Sequence, residues 1–277
     1  MKSLGKLGVR QWLFGLAIVI VLPVSATPRN VVSLNICTDQ LLMLVGQPEQ
    51  IASVTFLARD PVLSAMAQQA EEYPINHGLA EEVIRAKPDL VLASQYAART
   101  TVQLLTGLGY RVEQIPPAFT LDQIKANLGR VGKLLGQQAR SDQLLSELET
   151  KLVNLRSVEA GDRGVFTDYE VNSIIAGRGS LLASLAHEAG YDLLGEKLDI
   201  AGAGQISLET LIVAQPDLME LGHAWDESPS LASETLRHPG LTRLLTVTPT
   251  VSIPDAWWQC GLPVSLNVVE LLLEAGT

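Results

Sequence analysis

The 277-residue sequence predicts an α/β protein of two lobes, each a mostly parallel sheet flanked by helices, joined by a single long α-helix. Three observations carry this reading. Short apolar, β-branched runs alternate with helical periodicity along both halves of the chain. The segment QQARSDQLLSELETKLVNLRS (137–157) carries a leucine stripe and helix-forming residues over about 30 Å. The phrase EEVIRAKPDLVLA (81–93) returns as LETLIVAQPDLMEL (208–221), with seven positions from Glu81 to Pro88 and again from Glu209 to Pro216.

The elements follow in order. VVSLN (31–35) reads as a buried strand. CTDQLLMLVG (37–46) reads as a helix, with Thr38 or Asp39 as its N-cap and Gly46 at its end. IASVTF (51–56) is the next strand. Leu79–Ala86 is a helix stopped by Pro88, and Leu90–Ala93 is a strand. TTVQLLTGLG (100–109) and YRVEQI (110–115) form another helix–strand pair. Leu121, Ile124, Leu128, Val131 and Leu135 stand at helical spacing, and Gly136 punctuates before the long helix. EAGDRG (159–164) ends that helix. GVFTDY (164–169) restarts the alternation as a strand, followed by a helix at 180–191, a helix at 208–214 and a strand at 218–221. TRLLTVTPTVSIP (242–254) contains strand material, and VSLNVVELLLEA (264–275) is a terminal helix. The lobes then occupy 27–136 and 159–277, with 137–158 as linker.

Residues 1–26 read as a cleaved secretory signal peptide. Lys2, Lys6 and Arg10 precede the apolar run WLFGLAIVIVL and the small residues of PVSA. That run is about 11 residues, short of the roughly 20 that span a bilayer. No cysteine lies near the expected cut after Ala26, which argues against a lipid anchor. The cut moves the formal charge from −10 to −13. An acidic exported chain without a basic stripe is repelled by phosphate, which excludes nucleic acid as a partner.

Each copy of the repeated phrase places a glutamate in a helix's first turn, where the helix dipole favours a negative charge. Pro stops the helix and Asp caps the turn into the strand. Such junctions are common, so the repeat alone assigns no function to Glu81 or Glu209.

VVSLNICTDQLLMLVG, GLAEEVIRAKPDLVLA and LETLIVAQPDLMEL, with the long helix between them, resemble the periplasmic solute-binding proteins of ABC importers for cobalamin, ferric siderophores and haem. The resemblance spans nearly the whole chain after Ala26. It implies a monomeric binding protein rather than an enzyme, with no intrinsic cofactor. Its ligand would be a cobalt- or iron-containing chelate held in a shallow cleft between the lobes and passed to the transmembrane permease subunits of an ABC importer. In this family each lobe offers one glutamate to arginines on those subunits. Glu81 and Glu209 match those positions, with Glu82 as the neighbour should the register differ by one. A stiff connector also implies little lobe rotation.

Ligands of open α/β sheets sit at the carboxyl ends of the strands. The loops there supply Cys37, Arg59, His77, Tyr96, Tyr169, Trp225, Trp257, Trp258 and Cys260 as candidate ligand-binding residues. Three of the four tryptophans fall in these loops, where rings could pack a flat, partly apolar chelate. His77 and His223 occupy corresponding loops and could contact the ligand or its metal. For Cys37 and Cys260 three readings stand open: a disulfide tying the lobes, two thiols on the ligand, or two buried thiols. Arg59, Arg99 and Arg178 suit an anionic siderophore, whereas the tryptophans suit a corrinoid or a porphyrin.

Two other classes remain. An exported enzyme on the same scaffold lacks a G-x-S-x-G elbow, an H-E-x-x-H motif and a phosphate loop; GRGS (177–180) opens a helix and could hold an anion. A receptor for free zinc or manganese needs clustered histidines and carboxylates, against four scattered histidines here.

Overall fold

The computed structural model describes residues 27–96, 99–158, 161, 163–221 and 237–276. The expected signal peptide at 1–26 and the candidate Trp225 lie outside the described residues.

In the first lobe, β1 (Val31–Ser33), β2 (Ile51–Thr55), β3 (Ile75–Asn76), β4 (Leu90–Ser94) and β5 (Val112–Ile115) form a parallel sheet in the order β3-β2-β1-β4-β5. Helices α1 (Ile36–Val45), α2 (Ala67–Ala70), α3 (Ala80–Ala86), α4 (Arg99–Gly107) and α5 (Leu121–Leu135) accompany it. The strands read as unbroken apolar runs because helices cover both faces. Val31, Leu90 and Leu92 face one apolar cluster, while Val32, Val91 and Ala93 face another.

The N-cap of α1 is Asn35 rather than Thr38 or Asp39. Its side chain accepts the Cys37 N–H, and Thr38 Oγ1 donates to the Asn35 carbonyl. Asp39 is fully buried, and its carboxylate accepts the Thr55 N–H and hydroxyl, tying α1 to the end of β2.

After Gly136, in the left-handed region at φ +67°, α6 (Gln138–Arg156) runs for 19 residues, about 28 Å at 1.5 Å per residue. Gly132 of α5 lies so close to α6 that a Cβ there would sit 2.2 Å from Ser141 Oγ. Near its start α6 is fastened to the first lobe, through Arg140 Nε donating to the Leu44 carbonyl. Further along it is fastened to the second lobe. Lys151 Nζ bonds Asn267 and Glu270, and Arg156 makes two hydrogen bonds to Glu188. Leu144, Leu148 and Leu152 carry one apolar cluster from the first sheet through to Leu182, Leu185 and Val269.

The second lobe comprises β6 (Val165–Tyr169), β7 (Ile174–Ala176), α7 (Leu181–Glu188), β8 (Asp192–Leu193), α8 (Leu194–Lys197), β9 (Ala203–Gln205), α9 (Leu208–Ala214), β10 (Leu218–Leu221), α10 (Pro239–Leu245), β11 (Thr250–Val251), α11 (Asp255–Trp258) and α12 (Leu266–Ala275). Its parallel sheet runs β11-β10-β6-β8. An antiparallel β7–β9 pair, not foreseen from the pattern, stands beside it. The segment 242–254, read as containing strand material, does so only at Thr250–Val251, and its first residues, 242–245, close α10. Pro239 sits in the first turn of α10 and the His238 side chain caps it, which leaves β11 only two residues.

The repeated phrase now separates into structural and spare parts. Lys87 and Gln215, both left-handed, end α3 and α9 immediately before the prolines. The aspartates that follow pin a neighbouring strand. Asp89 accepts the N–H groups of Arg29 and Asn30, and Asp217 accepts that of Val165. Leu90 and Leu218 are buried. Glu81 and Glu209 are both exposed, in the first turns of α3 and α9, and pin no neighbouring strand. We therefore expect Asp89→Ala and Asp217→Ala each to cost about 1 kcal/mol in chemical denaturation, whereas Glu81→Ala and Glu209→Ala should stay within about 0.5 kcal/mol of the parent.

Candidate ligand-binding site

The ends of β1, β4 and β5 open on a cleft of about 610 Å3 between the lobes, inside the range of small-molecule sites. Leu41, Ser94, Pro117 and Phe119 belong to the first-lobe wall, and Asn127 Nδ2 holds the wall's turn by donating to the Pro116 carbonyl. The second lobe contributes the turn into α7, the start of β9 and residues 258–261. The lining is largely apolar. Arg178 is the one charged side chain among the described residues that line it, and it is already paired to Asp199 at 2.7 Å. The GRGS turn reaches the cleft, with Ser180 capping α7 by accepting the Ala183 N–H. Trp258 Nε1 is buried without a hydrogen-bond partner.

Where the two walls meet, Cys37 and Cys260 form a disulfide, with Cα atoms 5.2 Å apart and a sequence separation of 223. Of the three readings of these cysteines, the lobe-tying bridge is the one observed; neither is a free thiol. Beside the bridge, Gly261 packs on Ala118 so closely that a Cβ would come within 2.6 Å of the Ala118 Cβ and carbonyl oxygen.

The structure brings three sequence candidates, Cys37, Trp258 and Cys260, to the cleft. It places the others elsewhere. Arg59 donates to the carbonyls of Ala70, Glu71 and Tyr73, which consumes its guanidinium. His77 stacks on Phe56 and bonds Glu82 through both its backbone N–H and Nδ1. Those two bonds, the backbone one first, hold the Glu82 carboxyl below its ordinary range and leave Glu81 as the outward carboxylate of that pair. Tyr96 is exposed beyond the end of β4 and does not line the cleft. Tyr169 is fully buried in the core of the second lobe, because it is the inward residue of a covered strand. Trp257 packs on the main apolar cluster and does not line the cleft, whereas Trp258 packs on that cluster and also lines the cleft. Arg99 stands at the start of α4, next to Gln95 and Gln103 and away from the cleft. The sequence reading missed Pro116, Pro117 and Phe119; their place directly after the strand 110–115 was the available signal.

A model of the periplasmic binding protein family matches residues 31–247. The chain belongs to the periplasmic binding protein family. This periplasmic binding protein is 22% identical over 231 residues to a cobalamin-binding protein of Halobacterium salinarum, covering 82% of the chain and 62% of that relative's length. Its fold is similar to the periplasmic vitamin B12 binding protein BtuF of Vibrio cholerae (TM-score 0.70, 16% identity, 90% of this chain and 97% of that one). It is similar also to the periplasmic heme binding protein HutB of Vibrio cholerae (TM-score 0.72, 16% identity, 88% and 97%). These likenesses establish the two-lobed α/β fold.

Behind the second-lobe wall, the binding protein buries an acidic group at the base of α11. Asp168 of β6 stands in register with Glu220 of β10, both almost fully buried. Glu170 and Asp255 complete it. Asp168 accepts the Ala176 N–H. The Glu220 carboxylate has no well-formed hydrogen bond, and the Ile253 N–H eases it only slightly. Burial first, then the charges of Glu170, Asp168 and Asp255, push Glu220 up to about 9. Burial, then Asp168 and Asp255, push Glu170 to about 7; burial raises Asp168 to about 6.

Two outcomes follow for this protein. Gly261→Val should cost about 1–3 kcal/mol in denaturant midpoints, because the added carbons meet the backbone of Ala118. The acidic group favours protonation in the folded state, so its contribution is complete below ordinary carboxyl values of 3.8–4.5 and is lost as pH rises through about 6, 7 and 9. Urea unfolding should therefore show stability falling from pH 5 to pH 9, and Glu220→Gln should flatten that fall.

Proposed function

We propose that this protein captures a metal chelate of the corrinoid or haem class in the interlobe cleft and delivers it to an ABC importer. The observation that carries the reading is the cleft itself, with its apolar walls and one cation already neutralised. Among the described residues lining it there is no histidine, no carboxylate and no free thiol, and nowhere among the described residues are three His, Cys, Asp or Glu side chains arranged to hold a metal ion. Such a lining offers a bare ion nothing to bind. The metal would arrive already enclosed in its organic ring, as cargo. Phe119 and Trp258, one from each lobe, offer aromatic surface to a flat macrocycle. A highly anionic ferric siderophore finds less here, since Arg59 and Arg99 lie elsewhere. The names of the relatives, cobalamin-binding and haem-binding, support the same ligand class.

Delivery rests on Glu81 and Glu209. They occupy the same place in the two copies of one junction, both exposed. The Glu209 carboxyl is held below its usual range by its own backbone N–H and the Ser207 hydroxyl, so it stays charged. Two fixed anions on two lobes suit cationic sites on paired permease subunits. Export through the signal peptide at 1–26 would bring the protein to them as a binding component without catalytic turnover.

Absorbance titration with cyanocobalamin and with haemin tests the ligand class; saturable binding of one is expected, and binding of neither removes the reading. Trp258→Ala should weaken that affinity by roughly tenfold. Alanine at both Glu81 and Glu209 should abolish uptake in cells while leaving the titration unchanged. Loss of binding in that variant would show that the carboxylates serve the cleft rather than delivery.

A further inference from the structure

We propose that the Cys37–Cys260 bridge is a redox latch on the cleft, opened by a dithiol and protected by bound ligand. The protection rests on the reading that the cleft holds the ligand; the latch itself does not.

The geometry has two sides. At the back, α6 is fastened to both lobes and the apolar cluster runs through it without a break. At the cleft, the covalent tie is the bridge, with its Cα atoms 5.2 Å apart. The lobes therefore cannot part at the cleft while it is intact. With the bridge cut, that side is held only by packing, including the Ala118–Gly261 contact beside it. A latch opposite a hinge acts at the longest lever arm, so one bond there restrains more motion than the same bond near α6 would.

The two cysteines differ in exposure. Cys260 is 2% exposed, whereas Cys37 is half-buried and both residues line the cleft. A reductant thus reaches Cys37 Sγ from the cleft. The attacking thiolate forms a mixed disulfide with Cys37, and Cys260 leaves as a thiolate that takes up a proton. The reductant's second thiol then attacks that mixed disulfide and frees Cys37 as a thiol. The dithiol ends as a disulfide, and its two electrons reside on the two cysteines. The oxidising space to which exported proteins go keeps the bridge closed. A macrocycle seated against the same wall covers the approach to Cys37. Whatever factor the ligand adds to the reduction equilibrium, reduction must return to the ligand's affinity, because the coupling is reciprocal.

The test uses the chain from Thr27 onward, and two arms. The first needs no ligand. Amide exchange and small-angle scattering are compared for oxidised protein, dithiothreitol-reduced protein and the C37S/C260S variant, with circular dichroism confirming that the fold persists. Exchange at 115–119 and 258–261 should quicken roughly tenfold in both reduced and variant protein, with a larger radius of gyration. Unchanged exchange and scattering would overturn the latch, whichever ligand the protein binds. The second arm uses cyanocobalamin and zinc protoporphyrin, choosing the one that saturates the oxidised protein. Bound probe should slow the appearance of thiols by roughly tenfold. Equal reduction rates with probe bound and free would overturn the protection, while failure of both probes to bind would strike the ligand reading and leave the first arm to judge the latch.

Discussion

The cleft exists because the lobes are joined at two opposite places, and each junction is built from different physics. At the back, α6 spans the lobes as a rod, held by buried leucines and by polar bonds at either end. At the cleft, a covalent bond and a glycine contact fix the gap. Remove the rod and the apolar cluster has no path between the sheets. Remove the clasp and the walls that present Phe119 and Trp258 have no set separation. The width of the site is thus a property of the joints, not of the residues that line it.

Within that frame the two lobes solve one problem twice and then diverge. Both end a helix with a left-handed non-glycine residue, turn through Pro-Asp, and use the aspartate to pin an adjacent strand. Both leave the glutamate of the preceding helix in solvent. The second lobe alone buries an acidic group in its sheet, at the root of the short helix that ends in Trp258. Buried carboxylates with so few donors weaken a core, and here the weak point lies directly behind a wall of the binding site. The cleft is nearly uncharged although the chain carries a formal −10. Its acidity is spent on surfaces and behind the walls, which keeps the site suited to an apolar guest.

Sequence alone determined the fold class, the long helix, most strands and the paired glutamates. Those features depend on periodicity, on proline and glycine, and on repetition, all of which are local. The N-cap of α1 was misplaced because Asn35, Thr38 and Asp39 all have capping chemistry, and only the reach of Asp39 to Thr55 on another strand assigns them. The helix at Pro239–Leu245 was hidden under β-branched residues that follow it, which the sheet uses for just two positions. Among the site candidates, Arg59 and His77 failed because their partners, backbone carbonyls and Glu82, are chosen by packing rather than by motif. Two adjacent tryptophans pack on the same apolar cluster, and the turn of a four-residue helix lets only Trp258 also line the cleft. The pairing of Cys37 with Cys260 likewise waited on tertiary structure, since a disulfide depends on the distance between two loops 223 residues apart and no local pattern encodes that distance.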